Sequence, residues 1–484
     1  MGYDRMRGTE CPSRREFLAM TGAAALGTLF GCGGGGGGAR PLAPGREVVI
    51  IGAGVAGMAA GMALREAGVG FTILEAQGRP GGRVFSNNAF PVPFDYGAQL
   101  FQQAVPVGDD PMVTRNPLFN IAARQHVTMQ PAFQTSVLLH EDGQPLSQDE
   151  LLAYFSTGTL MDQTVNTAGR AAAMAGSGDI SVADATAALM GQPFANFALL
   201  AQYEADRGQP AGKISCQDLW EYSRWTSAAF GLPSTDNWFI RSGMGNFVSQ
   251  FAAGLPIQFN TPVTAIDYRG PRVQITTPNG VIDAGAVIMT ASMGVLKAGK
   301  IQFNPGLPVI YSEAFDNLTM GSIGKVGFEF DADVFGPLPV NSSVGVVPDG
   351  SSDKFGAMFA KFWGTNMAYL VMGGPSCEEA ERGGEAGLIA LATERLVHML
   401  GPDATGHIVR TAVHSWMGDE WARGAYSTSL PGHVASRIAL QTPVENKVFF
   451  AGEAAALEGG ASMEGAWLSG QAAAAHFSKR GVKH

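Results

Sequence analysis

A short run over 46–51, rich in β-branched residues, stops at a glycine. Its β-branched residues predict a buried strand of a parallel sheet. Small and apolar residues at helical spacing follow over 55–67, and Gly68 is a typical helix end. A second apolar run over 70–74 ends at Glu75. The order strand, helix, strand is one βαβ unit, so the sequence predicts an α/β fold.

The pattern changes twice further along the chain. It is mostly helical from about 116 to 250, with helices expected over 118–124, 148–175 and 195–207. Strand character returns over 257–266, 272–276 and 281–289, where Asn279-Gly280 is a hairpin turn, and again over 325–372. A helix over 384–400, a strand over 448–450 and a helix over 463–479 are expected to close the chain.

A glycine-rich turn, Gly52-Ala53-Gly54-Val55-Ala56-Gly57, joins the first strand to the first helix. The first glycine permits a tight turn, the second lets the backbone approach a pyrophosphate, and the third lets helix and strand pack closely. The N-terminus of the helix faces the phosphate charge. Glu75 lies 18 positions after the third glycine and suits a ribose hydroxyl. The unit therefore predicts dinucleotide binding.

A second glycine turn extends the expected ligand. The segment Gly78-Arg79-Pro80-Gly81-Gly82-Arg83 adds a cation suited to a longer cofactor that the chain wraps. This favours FAD over NAD; the alternative is that Arg83 is a surface charge after a loop. We therefore expect a Rossmann-type FAD-binding domain of the glutathione-reductase-like kind, with an inserted α+β substrate domain.

The length of 484 residues exceeds one domain of ordinary size, and 46% hydrophobic residues can bury a large core. Two domains are the expectation. The predicted FAD-binding domain is discontinuous and comprises residues 45–115, 241–300 and 428–484. The predicted substrate-binding domain comprises residues 116–240 and 301–427.

Residues 1–44 are expected to be an export signal and a glycine-rich tether. Arg14-Arg15 precedes an apolar stretch over 18–30 that is too short and too rich in Gly and Ala to span a bilayer. The pattern resembles a twin-arginine export signal. The stretch ends at Cys32, which resembles the acylated cysteine of a lipoprotein, and Gly33–Gly38 would be a flexible tether. The alternative is a cleaved signal with an incidental Cys32. The predicted location is the periplasm or cell envelope, with a membrane tether through Cys32.

Charge and cysteine content exclude two kinds of site. A net charge of −10 argues against a nucleic-acid binder, because the chain offers no basic stripe to neutralise phosphates. Cys216 and Cys377, the cysteines beyond the export segment, are too few and too far apart for a metal site. Two buried thiols are favoured over a disulfide, and no metal is predicted.

Motifs spread over about 46–480 resemble those of the flavin-containing amine oxidase family, which includes monoamine, polyamine and L-amino-acid oxidases. Besides the two glycine turns, the shared motifs are Asp95-Tyr96-Gly97-Ala98, the region 243–263, Lys325, 416–427, 450–453 and 463–466.

The resemblance assigns roles around the cofactor. Val263 would hold the adenine through its backbone, and Glu453 would lie near the phosphate and ribityl portion. The backbone N–H of Met463 would face the flavin O2 edge, where a helix N-terminus stabilises the negative charge that reduction creates. The predicted cofactor-binding residues are Gly52, Gly54, Ala56, Gly57, Glu75, Gly82, Arg83, Gln99, Val263, Gly452, Glu453 and Met463.

The resemblance also implies three catalytic residues. Lys325 would contact flavin N5 through a water and help flavin reoxidation or imine hydrolysis. Tyr426 would form one wall of an aromatic cage for an amine, and Trp416 would lie near the flavin. Without the resemblance, Lys325 would be a snorkelling strand-end lysine and both aromatic residues would be ordinary core residues.

Three departures from the family pattern narrow the substrate. Ala425 stands where monoamine oxidases place the cysteine that bonds to the flavin, so the FAD is expected to be non-covalent. Ser462 replaces the second cage aromatic. Residues 95–102 lack the arginine of L-amino-acid oxidases, and Gln102 is not the acid of some polyamine oxidases. Amino acids are therefore disfavoured, and long polycations mildly so. The predicted substrate pocket contains Gln99, Phe101, Gln102, Tyr426 and Ser462.

The expected reaction is FAD-dependent oxidation of a small-molecule amine by hydride transfer from its α C–H to flavin N5. The imine would hydrolyse to an aldehyde or ketone plus ammonia or a smaller amine. Oxygen, a cytochrome or a quinone would accept the electrons. The alternatives are an FAD-dependent desaturase or dehydrogenase of a non-amine, and a non-catalytic flavoprotein that transfers electrons to a partner. The sequence does not determine whether the chain forms a homodimer.

Overall fold

The structure is a computed structural model that describes residues 48–102, 114–132, 135–225, 237–350 and 352–477. The predicted export signal, Cys32 and the glycine tether lie outside these residues. Among the residues described, no helix combines the length and the apolar character needed to cross a membrane. The described residues all fall within one unit, 41–484, so the predicted division into FAD-binding and substrate-binding domains stays a prediction.

A five-stranded parallel sheet carries the first glycine turn at the end of its central strand. Val48–Ile51 is buried and pairs with Ala286–Met289 on one side and Phe71–Leu74 on the other. Val448–Phe450 and Ile257–Gln258 form the two edges. Strands composed of apolar residues suit a parallel sheet whose two faces are both covered.

Two helices that begin near the glycine turn pack against each other on this sheet. They are Val55–Glu66, which connects the first two strands, and Met463–Ala475. They approach closely because Gly470 has no side chain, since a Cβ atom there would lie 2.1 Å from the carbonyl oxygen of Ala56. The N-termini of both helices therefore face the same cavity, which is lined by Val55 and Met463.

A six-stranded sheet forms the second large layer and carries Lys325 on its long strand Ile323–Phe330. All neighbouring strands are antiparallel except the last two, which are parallel. Helices Pro375–Arg382 and Gly384–Leu400 cover one face of this sheet. In spatial order the strands are Ile408–Val413, Ile323–Phe330, Met367–Gly373, Ala357–Ala360, Ser342–Val346 and Ser136–Leu139.

Smaller sheets and further helices make up the rest of the regular secondary structure in the described residues. The four-stranded sheet contains Gly280–Ala284, Val273–Thr277, Ala265–Asp267 and Gln302–Asn304. The three-stranded sheet contains Leu100–Phe101, Trp238–Ile240 and Met129–Pro131, and the two-stranded sheets pair Leu318–Met320 with Ser427–Ser429 and Ser86–Asn87 with Phe94–Asp95. The other α-helices are Pro117–Arg124, Gln148–Ala175, Val182–Thr186, Ala195–Leu199, Ala205–Arg207, Cys216–Trp225, Met244–Ser249, Met293–Lys297, Val309–Asn317 and Ala435–Gln441.

The mixed α/β architecture confirms the predicted class, and two element predictions needed correction. The helix expected over 195–207 is divided by a π-helix, Leu200–Glu204, whose neighbour Ala205–Arg207 is a separate short helix. The strand expected over 257–266 is reduced to Ile257–Gln258 and Ala265–Asp267. The residues between these strands pass along the cavity, where Thr261 and Val263 contribute to its lining.

Replacement of Gly57 tests the close packing behind the first glycine turn. A Cβ atom at this position would lie 1.9 Å from the carbonyl oxygen of Gly52. We expect Gly57→Ala to lower the free energy of unfolding by about 1–3 kcal/mol, because this contact is with backbone that cannot rotate away. Gly212→Ala is the matched control, since its added Cβ would meet no atom within 4 Å. Equal urea-unfolding midpoints for the two variants would contradict this account of the turn.

Candidate active site

A cavity of about 540 Å³ lies between the glycine turns and the six-stranded sheet. Its lining combines residues that are hundreds of positions apart in the chain. The predicted site residues that line it are Gly52, Gly54, Ala56, Glu75, Gly82, Arg83, Gln99, Gln102, Val263, Lys325, Trp416, Tyr426, Gly452, Glu453, Ser462 and Met463. Gly57 and Phe101 are absent from this lining.

The two glycine turns lie side by side and leave room for a ligand against the backbone. The N–H of Gly81 donates to the carbonyl oxygen of Ala53 at 2.9 Å, which joins the turns. Cβ atoms built on Gly54 and Gly452 would meet no protein atom within 4 Å, and both residues line the cavity. Gly52 has a φ of +100°, a conformation that favours glycine. These residues therefore fit a pyrophosphate-bearing cofactor that approaches the backbone closely.

Glu75 fixes the first glycine turn against the second strand. Its carboxylate accepts the backbone N–H of Ala53 at 2.6 Å and that of Gln77 at 2.8 Å. Burial raises the pKa of Glu75, and the two backbone donors act in the opposite direction. Glu75 lies on the cavity wall, in the position that its spacing from the glycines predicted.

Arg83 forms an ion pair inside the protein, which disfavours the alternative that it is a surface charge. Its guanidinium donates to Glu453 Oε1 at 2.9 Å and to the carbonyl oxygen of Ala425 at 2.8 Å. The other Glu453 oxygen accepts the Ser427 hydroxyl at 2.6 Å. Burial alone would raise the pKa of Glu453, but Arg83 and Arg437 outweigh it and hold the pKa below its ordinary value of 4.5. The pair brings the second glycine turn to the C-terminal motifs.

Arg437 extends this ion pair, and sequence reasoning missed it. The side chain is 2% exposed and donates to both carboxylate oxygens of Asp218, at 2.7 and 3.0 Å, and to the Ser427 hydroxyl at 3.0 Å. Its charged partner Asp218 is 219 positions away, so no local pattern marked this pair. The result is a chain of charges from half-buried Asp218 through buried Arg437 and Glu453 to half-buried Arg83.

Lys325 lies on the cavity wall and is only 7% exposed. Its amino group donates to the carbonyl oxygens of Asp95 at 3.0 Å and Gly97 at 2.5 Å, and to Gln99 Oε1. Burial lowers the pKa of Lys325 to about 7, although the Asp95 carboxylate raises it. The sequence therefore located a lysine in the cavity, but its three acceptors could not be read from the motif.

Two aromatic residues stand on the cavity wall as expected. Trp416 is buried, its indole N–H donates to the carbonyl oxygen of Tyr96 at 3.3 Å, and its ring meets that of His414 edge to face. The Tyr426 hydroxyl donates to the carbonyl oxygen of Asp206. Burial raises the pKa of Tyr426, so its hydroxyl stays protonated at neutral pH.

Ser462 and Phe101 have structural roles that the sequence analysis did not predict. The Ser462 hydroxyl accepts the N–H of Gly465 at 3.0 Å and so caps helix Met463–Ala475, although the residue still borders the cavity. Phe101 is fully buried against Phe119 and Phe247, and it is not a pocket residue. Neighbouring residues of a strand point to opposite faces, so Leu100, rather than Phe101, lines the cavity.

Other cavity residues gave no recognisable sequence signal. Glu464 follows the cap of the last helix and accepts the side-chain amide of Asn116 at 2.6 Å and the N–H of Gln102 at 3.2 Å. An apolar wall comes from separate strands and loops and contains Leu100, Ala201, Ala205, Ile323, Phe355, Ala357, Phe359 and Val371. Within the described part of the chain, no three His, Cys, Asp or Glu side chains are grouped to hold a metal ion.

Known proteins share the sequence pattern and the fold of this chain. The family model for flavin containing amine oxidoreductases matches residues 55–476. Polyamine oxidase 4 of Oryza sativa subsp. japonica is 28% identical over 459 residues, which covers 91% of this chain and 90% of that protein. The human lysine-specific histone demethylase 2 is 25% identical, and the match covers 88% of this chain but 52% of the demethylase. A structure of putrescine oxidase bound to putrescine shares the fold, with a TM-score of 0.71 at 18% identity, and the match covers 89% of this chain and 98% of that one.

Removal of the Glu453 charge tests whether the buried ion pairs hold the site together. We expect Glu453→Gln to lower the free energy of unfolding at pH 7 by about 3 kcal/mol, because Arg83 loses its carboxylate partner. Glu420→Gln, which removes a surface pair with Lys300, should cost less than about 1 kcal/mol. Urea unfolding of the three proteins measures both values.

The same comparison has a defined pH dependence. The folded-state pKa of Glu453 lies below 4.5, so its stabilising contribution is complete above pH 4.5 and is lost as the pH falls through that folded-state pKa. The difference between wild type and Glu453→Gln should therefore shrink on acidification. If the difference in free energy of unfolding is small at pH 7, or grows in acid, Glu453 is not the stabilising carboxylate of this ion-pair chain.

Proposed function

The chain belongs to the flavin-containing amine oxidoreductase family, and from that premise we propose that it binds FAD non-covalently and oxidises an amine. The observation that carries the proposal is the single cavity whose wall includes both glycine turns, Lys325, Trp416 and Tyr426. Cofactor contacts and candidate catalytic side chains thus border one continuous space.

The cofactor would lie along the glycine turns. Gly54 and Gly452 leave space beside the backbone, and Val263 lies on the same wall for the adenine. The first turn of helix Met463–Ala475 would face the flavin O2 edge, since a helix N-terminus stabilises negative charge. Ala425 lies on the cavity wall and has no thiol, which supports a non-covalent FAD. When bound, FAD would accept the hydride from the substrate α C–H at its N5 atom.

The residues of the chain would position the substrate and control protons. Trp416 is fixed by its bond to the Tyr96 carbonyl, and Tyr426 by its bond to the Asp206 carbonyl, so both rings offer rigid faces to an amine. Lys325 would hold or move a proton at its amino group, because burial brings its pKa to about 7. The surrounding apolar wall would exclude bulk water.

The lining supports an amine with an apolar substituent. Six of the apolar wall residues are Ile323, Phe355, Ala357, Phe359, Val371 and Leu100. The acidic Asp206 on this wall is already paired with Arg207 at 3.1 Å, and Arg83 is already paired with Glu453. An ammonium group near Asp206 would therefore share this carboxylate with Arg207, and a substrate carboxylate would compete with Glu453 for Arg83. An amine with an apolar substituent would differ from the polyamines and the putrescine named for the oxidases that the chain resembles.

The cellular setting is part of the proposal. The twin arginines and Cys32 support export to the periplasm or cell envelope, with a lipid tether. The hydrolysed imine would leave as an aldehyde or ketone, together with ammonia or a smaller amine. Oxygen, a cytochrome or a quinone would then reoxidise the cofactor.

Anaerobic mixing with a panel of amines tests the proposed reaction. Primary and secondary amines with apolar substituents should bleach the flavin absorbance, and they should do so faster than putrescine, spermidine or an amino acid. The measurement is stopped-flow absorbance of the purified yellow protein. If no amine bleaches the flavin, the proposed activity is wrong; if polyamines react fastest, the inferred apolar substituent is wrong.

Lys325→Met provides the internal comparison for this experiment. The variant should retain flavin, because Lys325 does not bind the phosphates, but its turnover or reoxidation should be slower. A colourless variant would show that Lys325 has been assigned to the wrong part of the site.

A further inference from the structure

The amino group of Lys325 is enclosed by three oxygen acceptors. Two are backbone carbonyls, of Asp95 and Gly97, and the third is the side-chain oxygen of Gln99. Gln99 is itself anchored, because its amide nitrogen donates to the Tyr369 hydroxyl. Lys325 and Gln99 line the cavity, whereas Tyr369 is 1% exposed on the adjacent strand Met367–Gly373.

Counting hydrogens decides which form of Lys325 this arrangement selects. An ammonium group has three N–H donors and no acceptor, so it satisfies all three oxygens. A neutral amine has two N–H donors and a lone pair, which would leave one oxygen facing that lone pair. The acceptors therefore favour the protonated form, while burial opposes it.

One of the three acceptors can leave without moving the backbone. The carbonyls of Asp95 and Gly97 belong to the backbone, and this segment is held by the bond from the Ala98 N–H to the Arg83 carbonyl oxygen at 3.3 Å. The Gln99 side chain can rotate about its own bonds. Its bond to Tyr369 opposes that rotation. Because an ammonium group can only donate, Lys325 selects the amide oxygen of Gln99, and the amide nitrogen is left to donate to Tyr369.

We propose that Gln99, anchored by Tyr369, is a positioning residue that completes the acceptor cage of Lys325 and favours the ammonium form of this lysine. The proposal rests on the proposed function only in assigning Lys325 to the reaction. While the cage is closed, the three N–H groups are committed to protein oxygens. A water molecule can be held by Lys325 only when Gln99 releases one of them.

Two titratable side chains face Lys325 from the elements packed around it. Asp95 raises its pKa through charge, and its carboxylate is held by the N–H groups of Met244 and Gly245 at 2.9 and 3.0 Å. The Tyr369 ring centroid lies 5.7 Å from the lysine nitrogen. On the other face of the strand, Gly324 packs against Cys377 and Leu388. The effects of burial and of these contacts on the pKa of Lys325 nearly balance at neutral pH. The loss of one acceptor should therefore shift the titration midpoint measurably.

The test is a pH titration of Lys325 by NMR in the FAD-containing protein with isotope-labelled lysine side chains. Lys325→Met identifies the signal by its disappearance. Wild type should titrate near a pKa of about 7. Gln99→Leu should lower this midpoint by about one pH unit, and Gln99→Glu should raise it by at least about one unit, because a hydrogen bond to a charged group is worth about that much.

Two further variants separate positioning from general damage. Tyr369→Phe releases the anchor of Gln99 and should shift the midpoint in the same direction as Gln99→Leu, by a smaller amount. Tyr268→Phe removes another buried hydroxyl, which donates to the Gly306 carbonyl at 3.2 Å, and should leave the midpoint unchanged.

The outcomes are independent of whether amines reduce the flavin. Opposite shifts in Gln99→Leu and Gln99→Glu support the cage even if no amine reacts. An unchanged midpoint in both variants overturns it, even in a protein that oxidises amines. If Gln99→Leu does not fold, Gln99→Glu and Tyr369→Phe decide the question by the same criterion.

Discussion

The linked charges of Asp218, Arg437, Glu453 and Arg83, of which Arg437 and Glu453 are buried, are the constraint on which the site depends. Two arginines alternate with two carboxylates, and the Ser427 hydroxyl bridges Arg437 to Glu453. Charges removed from water are costly unless each one is paired and hydrogen bonded. Arg83, Asp218 and the C-terminal pair of Arg437 and Glu453 come from three distant segments of the chain, so their pairing requires those segments to meet. The second glycine turn, the C-terminal motifs and helix Cys216–Trp225 are thereby brought together.

This constraint explains how one cavity can border both the proposed cofactor site and the proposed substrate site. The parallel sheet presents backbone and helix N-termini, which suit phosphates and a reduced flavin. The six-stranded sheet presents Lys325 and apolar side chains, which suit an amine and exclude water. Arg83 lies where the two surfaces meet, with its guanidinium bound to Ala425 and Glu453. The ion pair between Arg83 and Glu453 therefore stabilises the fold and also sets the spacing between the two surfaces of the cavity.

Local sequence patterns predicted features that adjacent residues form, but they did not predict contacts between residues far apart in the chain. The strand, turn and helix around Gly52 could be predicted because adjacent residues supply the whole motif, and Lys325 because the family motif marks it. Arg437 could not, because its role depends on Asp218, a partner 219 positions away. Phe101 was assigned to the pocket because motif position does not specify which face of a strand is inward. The sequence analysis interpreted Ser462 only as the replacement of a cage aromatic residue. In the structure its hydroxyl caps the last helix by accepting the N–H of Gly465.

The central claim is that this cavity holds FAD without a covalent bond, and acid precipitation of the purified protein tests it most directly. The account predicts that the folded protein is yellow and that precipitation releases the flavin into the supernatant, where its mass identifies FAD in about one copy per chain. Flavin that remains with the precipitated protein would contradict the non-covalent assignment based on Ala425. A colourless protein that cannot be loaded with added FAD would contradict the claim itself.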